Sequence, residues 1–167
     1  MLRKVMFLVP VVALLALPAL VQAQFEAGNW ALELSGNGQN DKDFDSGSFS
    51  LNGEIGYFIS KEAEVGIRQG FSWIDSQFGG SSWAGSTGAF IDYHFDLDRW
   101  QPYVGGFVNY SYGEDVNESW FGGPEGGVKY FVNATTYLDL NVAYGFDLEE
   151  GFDEGSFIYG LGIGFRW

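Results

Sequence analysis

The residues able to do chemistry in this sequence are few, and most of them are carboxylates. There are 22 Asp and Glu side chains, one histidine (His94) and no cysteine. The lack of cysteine excludes a disulfide scaffold, a thiolate metal site and a cysteine nucleophile. Hydrolysis or acyl transfer by other residues needs a positioned base, usually histidine. The sequence has no His–x–Ser pair and no cluster of His with Asp at the predicted extracellular end, so we predict no enzymatic activity, no catalytic residue and no cofactor.

One acidic segment matches only the first part of a calcium-binding motif. The run 41–47, Asp-Lys-Asp-Phe-Asp-Ser-Gly, has the spacing that opens a calcium loop. Such a loop needs glycine at its sixth position and glutamate at its twelfth, where this sequence has Ser46 and Asn52. We therefore interpret the segment as a solvated loop and predict no metal site. Further acidic runs at 114–118 and 147–154 leave weak bridging by Ca²⁺ or Mg²⁺ as a hypothesis.

The composition is unusual for a protein whose whole surface faces water. The 167 residues are 19% aromatic but only 18% charged, with a net charge of −14. This length supports one domain. The negative charge argues against nucleic-acid partners, because phosphate binding needs clustered Lys and Arg.

The first segment has the pattern of an export signal. Arg3 and Lys4 precede an apolar run from 5 to 21, and Val21-Gln22-Ala23 matches a signal-peptidase cleavage site. The alternative is an N-terminal membrane anchor, but the run contains Pro10 and Pro18 and is short for a spanning helix. We predict a cleaved signal peptide at 1–23 and a single mature domain at 24–167.

Beyond the signal segment, the hydrophobic pattern has a period of two. In the last segment Phe157, Tyr159, Leu161, Ile163, Phe165 and Trp167 alternate with small or polar residues. Strands show this alternation because successive side chains point to opposite faces. Seven further segments, centred near positions 32, 53, 67, 88, 107, 127 and 141, make eight strands in total. Short turns at 60–62 and 133–135 alternate with longer polar loops at 36–46, 75–81, 113–119 and 147–156.

Strands of this kind, joined alternately by short turns and long loops, predict an all-β, eight-stranded antiparallel up-and-down transmembrane β-barrel. A soluble lipocalin-like barrel, with its apolar face inside, is the alternative. The polar face decides between them, because it is rich in Gly, Ala and Ser, as at positions 66, 70, 84, 88, 143, 160, 162 and 164. Small residues suit a narrow lumen, whereas a water-facing surface normally carries longer polar side chains.

The tryptophans support a membrane location. Three fall at the predicted loop ends of their strands and three at the turn ends; the six are Trp73, Trp83 and Trp120, then Trp30, Trp100 and Trp167. Two aromatic girdles are typical of a bilayer-spanning barrel, because indole rings favour the headgroup level.

Charged residues on the small-residue face are predicted to pair inside the lumen. If the turn at 60–62 pairs Phe58 with Glu64, Glu54 lies opposite Arg68. If the turn at 133–135 pairs Phe131 with Tyr137, Lys129 lies opposite Asp139. Directly opposite side chains are within reach of each other, so we predict lumen salt bridges at Glu54–Arg68 and Lys129–Asp139.

The same face has an excess of acidic groups. Six carboxylates (Glu33, Glu54, Glu64, Asp92, Glu125 and Asp139) face three cations, Arg68, Lys129 and Arg166. Location at wet ends and a proton shared between carboxylates remain open explanations. His94 is expected to be a lumen residue near Asp92 or Tyr103.

Several segments resemble the small eight-stranded outer-membrane β-barrel family of the OmpA/OmpX type. They are the signal peptide, Gln101-Pro-Tyr-Val-Gly-Gly106, Gly123-Pro-Glu-Gly-Gly-Val-Lys-Tyr-Phe131 and the final alternation ending Phe165-Arg166-Trp167. The resemblance implies a bacterial outer-membrane location, contact with lipid and lipopolysaccharide, and a C-terminal strand read by the outer-membrane insertion machinery. Trp167 departs from the usual terminal Phe.

The function expected from these patterns is structural or surface-interacting: a monomeric barrel with a filled lumen that holds acidic loops outside the cell. The alternative is a small passive pore.

Overall fold

The computed structural model describes residues 24–40, 47–76, 80–114, 118–149, 151–152 and 155–167. The predicted signal peptide and the calcium-like segment at 41–46 lie outside these ranges. The chain forms eight strands: β1 (Trp30–Asn40), β2 (Gly47–Phe58), β3 (Ala63–Ser76), β4 (Gly80–His94), β5 (Trp100–Gly113), β6 (Ser119–Phe131), β7 (Thr136–Asp147) and β8 (Ser156–Arg166). No helix in the described part of the chain is long and apolar enough to cross a membrane.

The strands close into an antiparallel barrel in sequence order, with β8 pairing back to β1. The predicted fold class is therefore confirmed. Two loops predicted from polarity are partly strand, because β1 continues to Asn40 and β4 begins at Gly80. The ladder from Gly36–Leu51 to Asn40–Gly47 is continuous. Backbone pairing thus extends past the apolar part of the strands, which polarity alone does not reveal.

The two faces of the wall differ as the alternation predicts. Large apolar side chains point outward, with Ile67 at 63% and Leu161 at 68% exposure, whereas Glu64 and Asp139 on the inner face are buried. The inner face is not lined by small residues alone, however. Phe58, Phe131 and Tyr137 are 0% exposed inside one end of the barrel. Gly164 on β8 leaves the space that the Tyr137 ring occupies.

One end of the barrel carries the short connections 59–62, 95–99 and 132–135 together with residues 24–29 and Trp167, and is called the turn end below; the opposite end is the loop end. The N-terminal segment, residues 24–29, folds beneath the turn end. The Gly28 N–H donates to the Phe58 carbonyl at 2.8 Å, and the Phe25 ring stacks on Phe58 with centroids 4.0 Å apart. Phe25 is 2% exposed, so this segment closes the lumen at the turn end.

The contact between β1 and β8 is shorter than the other ladders. It runs from Ala31–Arg166 to Ser35–Gly162 and stops there. Beyond that point residues 36–40 remain paired with β2, and residues 156–161 remain paired with β7. We call the unpaired stretch between these two segments the seam. β1 and β8 are therefore paired near the turn end and are not paired with each other toward the loop end.

A glycine substitution tests how tightly the lumen is packed. A Cβ placed on Gly164 would overlap the Tyr137 ring, which has no exposed surface. We expect Gly164→Ala to lower the free energy of unfolding by about 1–3 kcal/mol, because overpacking displaces neighbouring groups. Urea unfolding of the protein in lipid vesicles measures this change.

The matched control is Gly53→Ala, on the outer face of β2. A Cβ there meets Leu34 Cδ2 at 3.5 Å, an ordinary contact, so the expected change is within about 0.5 kcal/mol. Equal stability of the two variants would show that Tyr137 moves freely and that the lumen is loosely packed.

Candidate functional site in the barrel lumen

The deepest charged group in the lumen is built on Glu64 of β3. Its Oε2 accepts hydrogen bonds from Lys129 Nζ on β6 at 2.9 Å, and it lies 2.9 Å from His94 Nε2 on β4. Glu64 and His94 are each 1% exposed, and Lys129 is 4% exposed. A carboxylate this deeply buried is stable only with a partner. The buried triad therefore ties three strands together across the barrel.

His94 lies in the lumen, as the sequence indicates. Its ring stacks near Tyr103, with centroids 5.3 Å apart, and contacts Phe58 and Phe25 from the turn end. Oxygen and nitrogen atoms of Glu64, Asp92 and His94 lie within 4.8 Å of one another, a spacing that suits a metal ion. The Lys129 ammonium already supplies the positive charge at Glu64, so a divalent cation would have to displace it.

A second charged group lies nearer the middle of the barrel and is built on Arg68 of β3. Its guanidinium donates two hydrogen bonds to Glu125 of β6, Nη1–Oε2 at 2.9 Å and Nη2–Oε1 at 3.0 Å. Its Nε lies 3.3 Å from Glu54 Oε1 on β2. The guanidinium also lies over the rings of Phe90 and Phe107, at 4.8 and 5.2 Å. A planar fork matches a carboxylate in two places at once, which fixes the orientation of both.

Both predicted strand registers are present. Glu54 lies opposite Arg68, and Lys129 lies opposite Asp139. The first pair forms a salt bridge, but the second prediction was wrong in its partner: Lys129 reaches across the lumen to Glu64. Asp139 Oδ2 instead accepts from Tyr103 at 3.2 Å and from Asn141 at 2.5 Å. A lysine chain is long enough to cross a narrow barrel, so hairpin register does not determine its partner.

The excess of lumen carboxylates is larger than the sequence indicated, because Arg166 does not share in it. Arg166 lies at the turn end, where its side chain donates to the carbonyls of Ala134 and Gln24 and to Asn29 Oδ1. Arg68 and Lys129 are left to balance the six inner carboxylates. Glu125 as the main partner of Arg68, and Phe25 as a lumen residue, are roles that sequence reasoning missed.

The predicted girdle tryptophans all lie on the outer surface. Their exposures are 44% for Trp30, 41% for Trp73, 38% for Trp83, 49% for Trp100, 51% for Trp120 and 64% for Trp167. Trp73 and Trp83 are opposite each other near the loop end. Trp30 and Trp167 exchange backbone hydrogen bonds of 3.0 and 3.1 Å at the turn end. Tyrosines join them, as in the Trp100–Tyr130 and Tyr110–Trp120 contacts.

Above the two charged groups the lumen holds a cavity of about 410 Å³. Its wall includes Glu33, Glu54, Arg68 and Glu125 on one level and the amides Asn52, Asn109 and Asn141. Residues of the seam, Gly36 and 158–161, complete it. The cavity is thus polar and opens toward the loop end and the seam. The Arg68 group forms its floor, and the Glu64 triad and the N-terminal segment lie below that floor.

Comparison with known proteins identifies the architecture. No family model matches the chain, and no curated protein matches it. Among solved structures, it is similar to the N-terminal β-barrel domain of Pseudomonas aeruginosa OprF (18% identity, TM-score 0.61, covering 86% of this chain and 100% of that one). The outer membrane protein OprG from the same organism gives 15% identity and a TM-score of 0.63, covering 88% and 99%. The outer membrane protein Ail of Yersinia pestis gives 13% and 0.56, covering 84% and 99%.

These similarities confirm the predicted resemblance to small eight-stranded outer-membrane barrels at the level of fold. At identities this low they carry no further assignment. By its fold the chain is a closed eight-stranded antiparallel β-barrel, the architecture of these outer-membrane proteins.

Proposed function

We propose that this outer-membrane barrel is a non-conducting structural and surface-exposed protein, whose turn end faces the periplasm and whose acidic loops face the outside. The observation that carries the proposal is the closure of the lumen at the turn end. Phe25, Phe58, Phe131 and Tyr137 pack together there, with exposures of 2% or less. The Glu64–Lys129–His94 triad lies directly above them.

The charge distribution supports the same assignment. Arg68 and Lys129 each form an ion pair with a carboxylate at 2.9 Å, so neither side chain is free to bind an ion passing through the lumen. The single histidine is buried against Glu64, which supports a role without catalysis. Exposed acidic residues at the loop end, among them Glu114, Glu118 and Glu149, form a rim that would meet anionic lipopolysaccharide. Divalent cations would have to bridge two such surfaces.

The outer face supports assembly in a membrane as a monomer. A continuous apolar surface between two tryptophan girdles matches a lipid bilayer. Trp167, 64% exposed beside Trp30, presents its aromatic side chain at the end of β8. That position is where we propose that the insertion machinery recognises the strand.

Conductance in planar lipid bilayers tests the proposal against the passive-pore alternative. We expect the refolded full chain to give no recurring unit steps, because the turn end is closed. A general porin in the same bilayers is the positive control. Insertion is verified in parallel by migration on gels, where a folded barrel runs differently before and after heating. Reproducible unit steps from inserted protein would contradict the proposal and favour a pore.

A further inference from the structure

The cavity above the Arg68 group is lined by a buried hydrogen-bond acceptor without a partner. Asn109 is 6% exposed, and its Oδ1 has no hydrogen-bond partner among the described residues. The described lumen also holds donors without hydrogen-bond partners, among them Arg68 Nε and the Tyr137 hydroxyl. A buried acceptor without a donor is costly. The cavity therefore offers at least one acceptor to a ligand that carries a donor.

A buried negative charge without a salt bridge lies where the seam begins, at its end nearest the turn end. Glu33 is 7% exposed and lines the cavity, yet it makes no salt bridge with any residue that the structure describes. Glu33 and Asp139 interact electrostatically inside the lumen. Two interacting carboxyl groups in a low-dielectric site are stabilised by a shared proton or by a cation. Lys129 does not supply that cation by contact, because its ammonium is bonded to Glu64.

The seam connects the part of the cavity around Glu33 with the outer, membrane-facing surface of the barrel. Glu33 Oε1 lies over Gly162, the last residue of β8 that pairs with β1. Directly beyond, Gly36 and Leu161 face each other across the seam without ladder pairing, and both line the cavity. Unpaired backbone groups are not tolerated against hydrocarbon, but they are tolerated where they border a polar cavity. Glycine at position 36 adds no side chain to narrow this opening.

The outer surface beside the seam is apolar. Phe157, Tyr159 and Leu161 are 65%, 77% and 68% exposed on the lipid-facing side of β8. A molecule seated at Glu33 with a tail passing through the seam would therefore have a polar environment at one end and an apolar one at the other. The lumen below is closed by the N-terminal segment, so the arrangement holds a ligand and does not pass it through the barrel.

We propose that the cavity and seam form a binding site for an amphiphile with an alkylammonium group. The ammonium lies in the cavity with Glu33 and the amide side chains, and the alkyl chain extends through the seam into the outer leaflet. The ammonium supplies a donor for the cavity acceptors and a positive charge beside Glu33. The seam selects a membrane-dissolved amine over a freely soluble one, because only a chain benefits from the apolar exit.

Binding is tested by calorimetry on the full protein in lipid nanodiscs, with empty nanodiscs as the baseline for partitioning. The probes are dodecylammonium, ethylammonium and uncharged dodecanol. We expect saturable binding of dodecylammonium at one molecule per barrel, and at least tenfold weaker binding of the other two. Equal binding of ethylammonium would overturn the role of the seam, and equal binding of dodecanol would overturn the role of charge.

A variant locates the site. Glu33→Gln keeps the size of the side chain and removes its charge, and it should weaken dodecylammonium binding at least tenfold. Glu62→Gln, at the turn end beside Lys61, is the matched control and should bind as the native protein does. Unchanged binding by a folded Glu33→Gln barrel would overturn the proposed site. If that variant does not fold, the three-probe comparison on the native protein still decides the proposal.

Discussion

Lys129→Ala is expected to lower the free energy of unfolding by about 3–5 kcal/mol, the cost of leaving a buried charge without its partner. Glu64 is 1% exposed and receives its hydrogen bond from Lys129 at 2.9 Å. The ammonium also lies 5.3 Å from the Tyr103 ring and 5.2 Å from the Tyr137 ring, contacts that are lost with it. The midpoint of urea unfolding in lipid vesicles, followed by tryptophan fluorescence, measures the effect.

Two controls separate this effect from a general loss of charge. Lys61→Ala removes an exposed lysine that lies 3.3 Å from Glu62 in a turn, and exposed pairs contribute about 0–1 kcal/mol. Adding Glu64→Gln to Lys129→Ala removes the unpaired carboxylate and should recover part of the loss. A Lys129→Ala barrel as stable as the Lys61→Ala barrel would contradict the buried-triad interpretation.

Arg68→Met is expected to have an effect of similar size, about 3–5 kcal/mol. The guanidinium holds Glu125 at 2.9 and 3.0 Å and Glu54 at 3.3 Å. Without it, the carboxylates of Glu54 on β2 and Glu125 on β6 face the same part of the lumen with no cation between them. Met is chosen because it retains the apolar contact with the rings of Phe90 and Phe107, so the change reports mainly on charge.

A double-mutant cycle measures the part that belongs to the Arg68–Glu125 contact. Glu125→Gln alone should cost less, because Arg68 keeps Glu54. In the double variant the two losses should fall short of additivity by about 1–3 kcal/mol, as for residues in direct contact. Additive losses would show that the two side chains do not stabilise each other, despite the two-point contact between β3 and β6.

Much of this molecule follows from a pattern of period two. Alternation, turn length and the absence of large polar groups on one face predict eight strands and their inner faces, because side-chain direction in a strand is fixed by the backbone. The Glu54–Arg68 and Lys129–Asp139 registers follow in the same way, since a short turn sets which residues are opposite. The two positions of the tryptophans follow from strand direction alone.

Other features depend on which strands meet across the closed barrel. Glu64 contacts Lys129 from a strand 65 residues away, and Arg68 contacts Glu125 from 57 residues away. No hairpin register contains either contact, because each crosses the lumen between strands that are not neighbours. The closing of the turn end by Phe25 is similar, since nothing in the alternation places a residue before β1 inside the barrel.

The sequence by itself determined the strands, their two faces and the local registers, because these depend on backbone geometry and on neighbours along the chain. Only the tertiary structure decided the partners of the buried charges, the closed turn end and the seam between β1 and β8. Those features arise from the diameter and closure of the barrel, which bring together side chains and strand edges that are far apart in the sequence.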